Sequence, residues 1–194
     1  MIITQKLIFI HIPKTAGKSI REILKKDSSF RYVKGHPTFD ELLKINSKFL
    51  NSRQSFCVVR NPFDRFVSLY RHGSNELALK KLYGKNYLKI KDKINTFEKF
   101  IHNFNPPKKW IGRSIFTPQK VWSNNVTNIF KFENLEEITN FLDKHNFKGK
   151  LPHINATNFN MTDIHSYRKY YNQETKNLIR DKFEEDLNYF NYDF

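Results

Sequence analysis

The chain has 194 residues, 39% of them hydrophobic and 15% aromatic with 19 Phe, which is enough to build a core and excludes wholesale disorder. Its single cysteine, Cys57, excludes an internal disulfide, and only 6 Gly and 7 Pro argue against a linker-rich or repeat architecture. The formal net charge of +15 opposes folding by self-repulsion, so it points either to a solubilising surface or to a polyanionic ligand: a nucleotide, a nucleic acid, an acidic glycan or a membrane surface.

Residues 7–10 are continuously apolar and predict a short strand covered on both faces. Ile20, Ile23 and Leu24 follow at i, i+3, i+4 spacing, so a helix is expected from Gly17. Weaker strand and helix signals cover 30–33 and 38–43. The apolar run 56–59 predicts a second strand, with Cys57 as a small core residue. Pro62 suits the first turn of a helix whose apolar face is Phe63, Phe66, Val67 and Tyr70. Residues 80–95 are basic with weak periodicity and read as an exposed loop or a mobile helix. Asn105, Pro106 and Pro107 break the chain. A further strand is expected over 126–132. Asn134 with Glu137 fits a helix N-cap and capping box before Leu135, Ile138, Phe141 and Leu142. Ile179, Phe183, Leu187 and Phe190 line one face of a last helix.

Strands alternating with helices predict an α/β fold: a mostly parallel central sheet flanked by helices, with a phosphate-binding loop after the first strand. One domain is expected over 1–194, with 80–95 as a candidate basic insertion. The leading apolar run is too short to span a membrane and no secretory signal is visible, so the expected setting is cytoplasmic.

The loop following 7–10 reads His11-Ile12-Pro13-Lys14-Thr15-Ala16-Gly17-Lys18-Ser19. A strand, a tight turn and a helix start expose backbone N–H groups and the positive end of the helix dipole to an anion. Gly17 permits close approach, Thr15 and Ser19 add hydroxyls, and Lys14 and Lys18 add charge. A Walker A loop would open with Gly at position 12, where Ile12 stands, and no strand ends in an Asp suited to Mg²⁺. A second cationic site follows the second strand. Arg60 ends it, and Ser68 lies two turns along the next helix on a face other than that of Phe63, Phe66 and Val67. Arg60 and Ser68 can converge on one anion, unless Arg60 pairs with a carboxylate such as Asp64. Two such sites call for a ligand with two separated anionic ends, and a nucleotide with a 5′ group and a 3′-phosphate meets that demand.

At these motifs the sequence resembles the carbohydrate O-sulfotransferase family. "HIPKTAGKS" is similar to the family's 5′-phosphosulfate loop and "RNPFDRFVSLY" to its 3′-phosphate motif, while "VKGHPTF", "TPQKVW", "FKFENLEE" and "LPHINAT" resemble further family segments in the same order. The resemblance implies 3′-phosphoadenosine 5′-phosphosulfate as donor and adenosine 3′,5′-bisphosphate as product. It places Lys14 on the sulfonyl group and bridging oxygen, Thr15, Ala16, Gly17, Lys18 and Ser19 on the 5′-phosphate, and Arg60 and Ser68 on the 3′-phosphate. Lys18 departs from the family's usual small hydroxyl residue, which leaves backbone donation intact.

Sulfonyl transfer needs charge stabilisation at the leaving oxygen and a base for the acceptor hydroxyl. Lys14 suits the first task, and with lysines and N–H groups covering the charge a metal is not required. Among seven His, His36 follows Gly35 beside the expected loop, and the resemblance makes it the base. His153 is the runner-up, and His11 is expected to pack or hydrogen-bond at the strand end. The expected partner is a glycan or other hydroxyl acceptor, with acidic groups as one source of the need for positive charge. A P-loop kinase-like phosphotransferase and a basic nucleic-acid-binding module are the alternatives, the latter on segments such as "SYRKYYNQ".

Overall fold

The chain opens with a two-residue strand, β1 (Ile2–Ile3), too short to be distinguished by apolar patterning. Thr4 then reverses it: its N–H donates to the Leu7 carbonyl at 2.9 Å and its hydroxyl accepts from the Leu7 N–H at 3.0 Å. The chain continues through β2 (Leu7–Ile10), α1 (Gly17–Leu24), β3 (Arg31–Tyr32), α2 (Phe39–Asn51), β4 (Gln54–Val59), α3 (Pro62–Gly73), α4 (Glu76–Tyr83), α5 (Tyr87–Lys93) and α6 (Phe97–Asn103). Beyond these lie α7 (Lys120–Ser123), β5 (Asn128–Lys131), α8 (Leu135–Lys144), a 3₁₀ turn (Ser166–Tyr170), α9 (Gln173–Lys182) and α10 (Glu184–Phe190). This is a computed structural model, and it describes residues 1–104, 116–149, 151 and 166–194. The Asn105-Pro106-Pro107 break and His153 lie outside the described residues.

The chain forms two compact units, Met1–Arg60 with Gln119–Met161 and Asn61–Pro118 with Thr162–Phe194. The first holds the sheet, in the order β3-β1-β2-β4-β5. β2, β4 and β5 are parallel, with Ile10 opposite Cys57 and Val59 opposite Lys131; β1 runs antiparallel to both neighbours. The fold is α/β as expected. The phosphate-loop candidate follows the first of the parallel strands, with only β1 before it. Ile20, Ile23 and Leu24 of α1 and Ile138 and Leu142 of α8 bury against Leu7, Phe9, Phe56 and Val58. Burial pushes the Cys57 thiol pKa up, as expected of a core thiol.

The second unit is built around phenylalanine. Phe66 meets Phe100 at 5.9 Å and Phe116 at 5.3 Å, and Phe100 stacks on Phe104 at 4.3 Å. Asn61 caps α3 by accepting from the Phe63 N–H at 3.0 Å, and its amide donates to the Asp193 carbonyl at 2.6 Å. The basic stretch after Gly73 is helical rather than a loop. Asn75 caps α4, Lys80 and Lys91 both pair with Glu76, and the side chains are largely exposed. The last apolar face is shared by two helices, because Phe183 leaves helical geometry at φ −122°, and its four residues are buried. Among the described residues no helix is long and apolar enough to cross a membrane.

Candidate active site

From β2 the chain leads to β3 on one side of the sheet, and from β4 it leads to β5 on the other. The carboxyl ends of β2 and β4 therefore form the switch point where ligands bind in parallel sheets. Lys14 at φ 72° and Ala16 at φ 62° both take left-handed backbone there. For residues with a Cβ this conformation costs on the order of 1 kcal/mol each and is held by the surroundings. One clamp is visible: the buried Thr15 hydroxyl donates to the Ile12 carbonyl at 2.9 Å, so what Thr15 offers an anion is its backbone. Ala16 is the N-cap of α1 and makes no side-chain cap, so no capping side chain takes up the first-turn N–H groups of Gly17, Lys18 and Ser19, the donors an anion would need.

Three cations surround this turn. Lys18 is exposed and Lys14 half-buried. Burial first, then Arg60 and Lys18, lower the Lys14 pKa from 10.5 to about 8. Arg60 donates through Nη1 to the Lys14 carbonyl at 3.3 Å, and its guanidinium lies over the Phe132 ring at 4.2 Å. Three positive groups, one of them with a depressed pKa, gather at one backbone turn, an arrangement that favours an anion.

His36 reaches the same place from the loop after β3. Gly35 at φ 87° takes the left-handed turn with open space around it. The His36 Nδ1 lies 2.7 Å from the His11 carbonyl, which can only accept. Neutral His36 therefore carries its proton on Nδ1 and its lone pair on Nε2, the form of a base. The His11 ring stands 4.6 Å from that of His36, and burial, then His36 itself, hold the His11 pKa well below the usual imidazole range. His11 also explains Gly17: a Cβ there would lie 1.8 Å from the His11 Nε2. Overpacking of this kind costs about 1–3 kcal/mol. Gly17→Ala is expected to lower Tm by several degrees, at about 2–4 °C per kcal/mol for a chain of this size. An unchanged melting curve would show that the ring yields freely.

A family model, the sulfotransferase family, matches residues 2–193. The chain belongs to the sulfotransferase family. No curated protein and no solved structure gives a significant match. Family membership implies a phosphoadenosine-phosphosulfate-type donor and an acceptor for the sulfate, and it displaces the kinase and nucleic-acid readings. In this sulfotransferase Lys14, Thr15, Ala16, Gly17, Lys18, Ser19, His36 and Arg60 belong to the first unit. Ser68 lies half-buried on α3 of the second, beside buried Val67 and Leu69. The motif reading gave no role to Gln119, Phe132 or Trp122, all of which bind site residues. Two were visible within "TPQKVW" and the third within "FKFENLEE", but only the fold pairs them with Arg60 and His36.

Proposed function

We propose that this sulfotransferase moves a sulfonyl group from 3′-phosphoadenosine 5′-phosphosulfate to a hydroxyl of a carbohydrate. The observation that carries the reading is the strained, uncapped turn of 14–19 with Lys14 and Arg60 against it, at the sheet's switch point. The donor supplies a sulfonyl group already activated on a phosphate bridge. The N–H groups of Gly17, Lys18 and Ser19 bind the 5′-phosphate, with Thr15 and Ala16 shaping the turn. Lys14 Nζ sits at the bridging oxygen, where negative charge grows as the sulfur–oxygen bond breaks. His36 Nε2 takes the proton of the attacking hydroxyl as the new sulfur–oxygen bond forms. Arg60 holds the 3′-phosphate.

An acidic acceptor fits the net charge of +15. Of the six lysines in 80–93, Lys80 and Lys91 are paired with Glu76, so Lys81, Lys85, Lys89 and Lys93 are the stronger contributors to such steering.

Arg60 tests the nucleotide assignment. Its guanidinium gives a charge-assisted contact, and Arg60→Ala is expected to lower affinity for adenosine 3′,5′-bisphosphate by about 10–100-fold. Affinity for AMP, which lacks the 3′-phosphate, should change far less. Titration calorimetry with both nucleotides measures this directly. An intact preference for the bisphosphate in the variant would remove Arg60 from the 3′-phosphate site.

A further inference from the structure

Resting on the roles given above to Arg60 and His36, we propose that Gln119 and Trp122 are positioning residues. The single turn they share sets both groups from one place in the fold.

Gln119 and Trp122 are three residues apart, and the turn closes on itself through the Gln119 carbonyl, which accepts from the Trp122 N–H at 2.9 Å. Residues at this spacing share a face of a helical turn. Both are fully buried, so neither meets a ligand and each acts through what it holds. A buried primary amide must satisfy both its ends. The Gln119 Oε1 accepts from the Arg60 N–H at 3.0 Å, and its Nε2 donates to the Arg60 carbonyl at 2.8 Å. This is how a neighbouring strand would bond. The registered ladder between β4 and β5 runs to Val59 and Lys131, the Phe132 N–H still donates to the Val59 carbonyl at 2.7 Å, and at the next residue the Gln119 side chain bonds the Arg60 main chain. With its main chain held at both ends, Arg60 sends its guanidinium over Phe132 and onto the Lys14 carbonyl.

Trp122 does the same for the base. Its indole Nε1–H donates to the His36 carbonyl at 2.9 Å, while the His36 ring is fastened at Nδ1 to the His11 carbonyl. Gly35 contributes no side-chain restraint, and a Cβ there would meet nothing within 4 Å. The residues just past the turn grip the same segment. Asn124 and Asn125 each donate to the Asp40 carboxylate at 2.7 Å, and these bonds hold its pKa below the usual range. The segment 119–125 thus fixes Arg60 through Gln119, and fixes 36–40 through Trp122 and the two asparagines.

The test uses two near-isosteric changes. Gln119→Met removes both bonds to Arg60 and keeps the volume; Trp122→Phe removes the indole donor and keeps an aromatic ring. Gln119→Met is expected to lower the preference for adenosine 3′,5′-bisphosphate over AMP by about tenfold, the worth of a buried hydrogen-bonded contact. Trp122→Phe should leave that preference intact, lower kcat by about tenfold and move the acidic limb of the pH–rate profile. A generally loosened fold would instead move both readouts together. Gln119→Glu, which keeps the acceptor for the Arg60 N–H, should fall between wild type and Gln119→Met. Should Gln119→Met not fold, Gln119→Glu carries the same comparison.

Arg60→Ala and His36→Ala are run beside them. Suppose these two show their expected losses while the Gln119 variants keep full preference and Trp122→Phe keeps its kcat and pH profile. The positioning role is then overturned. If Arg60→Ala keeps the preference, or His36→Ala keeps turnover, the underlying assignment falls and the positioning role falls with it.

Discussion

His36→Ala is expected to lower turnover by about 10²–10⁴-fold, the range over which a positioned general base contributes. The expectation follows from the tautomer. Nδ1 faces the His11 carbonyl at 2.7 Å and must hold the proton, which leaves the lone pair on Nε2. Affinity for adenosine 3′,5′-bisphosphate should stay near wild type, because the backbone turn and cations assigned to the nucleotide are untouched. In the wild type the rate should fall at low pH as the imidazole takes a second proton, and that acidic limb should vanish in the variant. Steady-state rates across pH, with calorimetry on both proteins, check the two halves. Lost nucleotide binding would make His36 a structural residue. Retained turnover with the limb intact would move the role elsewhere, with His153 next to be substituted.

Lys14→Ala is expected to lower kcat by about 10²–10³-fold, as for other groups that stabilise charge formed in the transition state. Binding of the bisphosphate product should weaken much less, since that ligand lacks the sulfonyl group. The Lys14 pKa gives a second signature. Burial, then Arg60 and Lys18, lower it from 10.5 to about 8. Between those values the folded protein carries fewer protons at this group than the unfolded chain does. This contribution to stability therefore rises with pH across the window, and below pH 8 the buried charge is a full penalty. An anion in the turn favours the charged form, so nucleotide binding above pH 8 should take up a proton. Calorimetry in buffers of different ionisation enthalpy measures that uptake. It should disappear in Lys14→Ala. Turnover within a few-fold of wild type would remove Lys14 from the leaving oxygen.

What could be read along the chain was local. β2 and β4 were visible because strands buried on both faces are continuously apolar, and α1 because its apolar spacing follows the loop directly. β1 was not, since two residues carry no period. Residues 80–95, which hold the end of α4 and all of α5, are basic with weak periodicity, and that pattern predicts a loop or a mobile helix. Their helicity comes from the Asn75 cap and the Glu76–Lys80 pair, which a hydrophobic pattern does not register. α2 runs to Asn51, well past the expected 38–43, from the reciprocal cap of Thr38 and Glu41.

The site divides the same way. Lys14, Gly17 and Arg60 stand inside contiguous motifs, and their chemistry can be argued from spacing. The groups that orient them cannot. Gln119 is 59 residues from Arg60 and Trp122 is 86 from His36, and no local rule joins such positions. His11 was expected to pack or hydrogen-bond at the strand end. Its ring lies against Gly17, and its carbonyl holds the His36 ring.

The most direct test of the central claim follows the sulfonyl group itself. The protein is incubated with 3′-phosphoadenosine 5′-phosphosulfate labelled in the sulfonyl sulfur and with acidic and neutral oligosaccharides. The account predicts label on a sugar hydroxyl, matched one for one by adenosine 3′,5′-bisphosphate, with acidic acceptors favoured. Donor binding without transfer to any sugar, or transfer only to a non-carbohydrate hydroxyl, would contradict it.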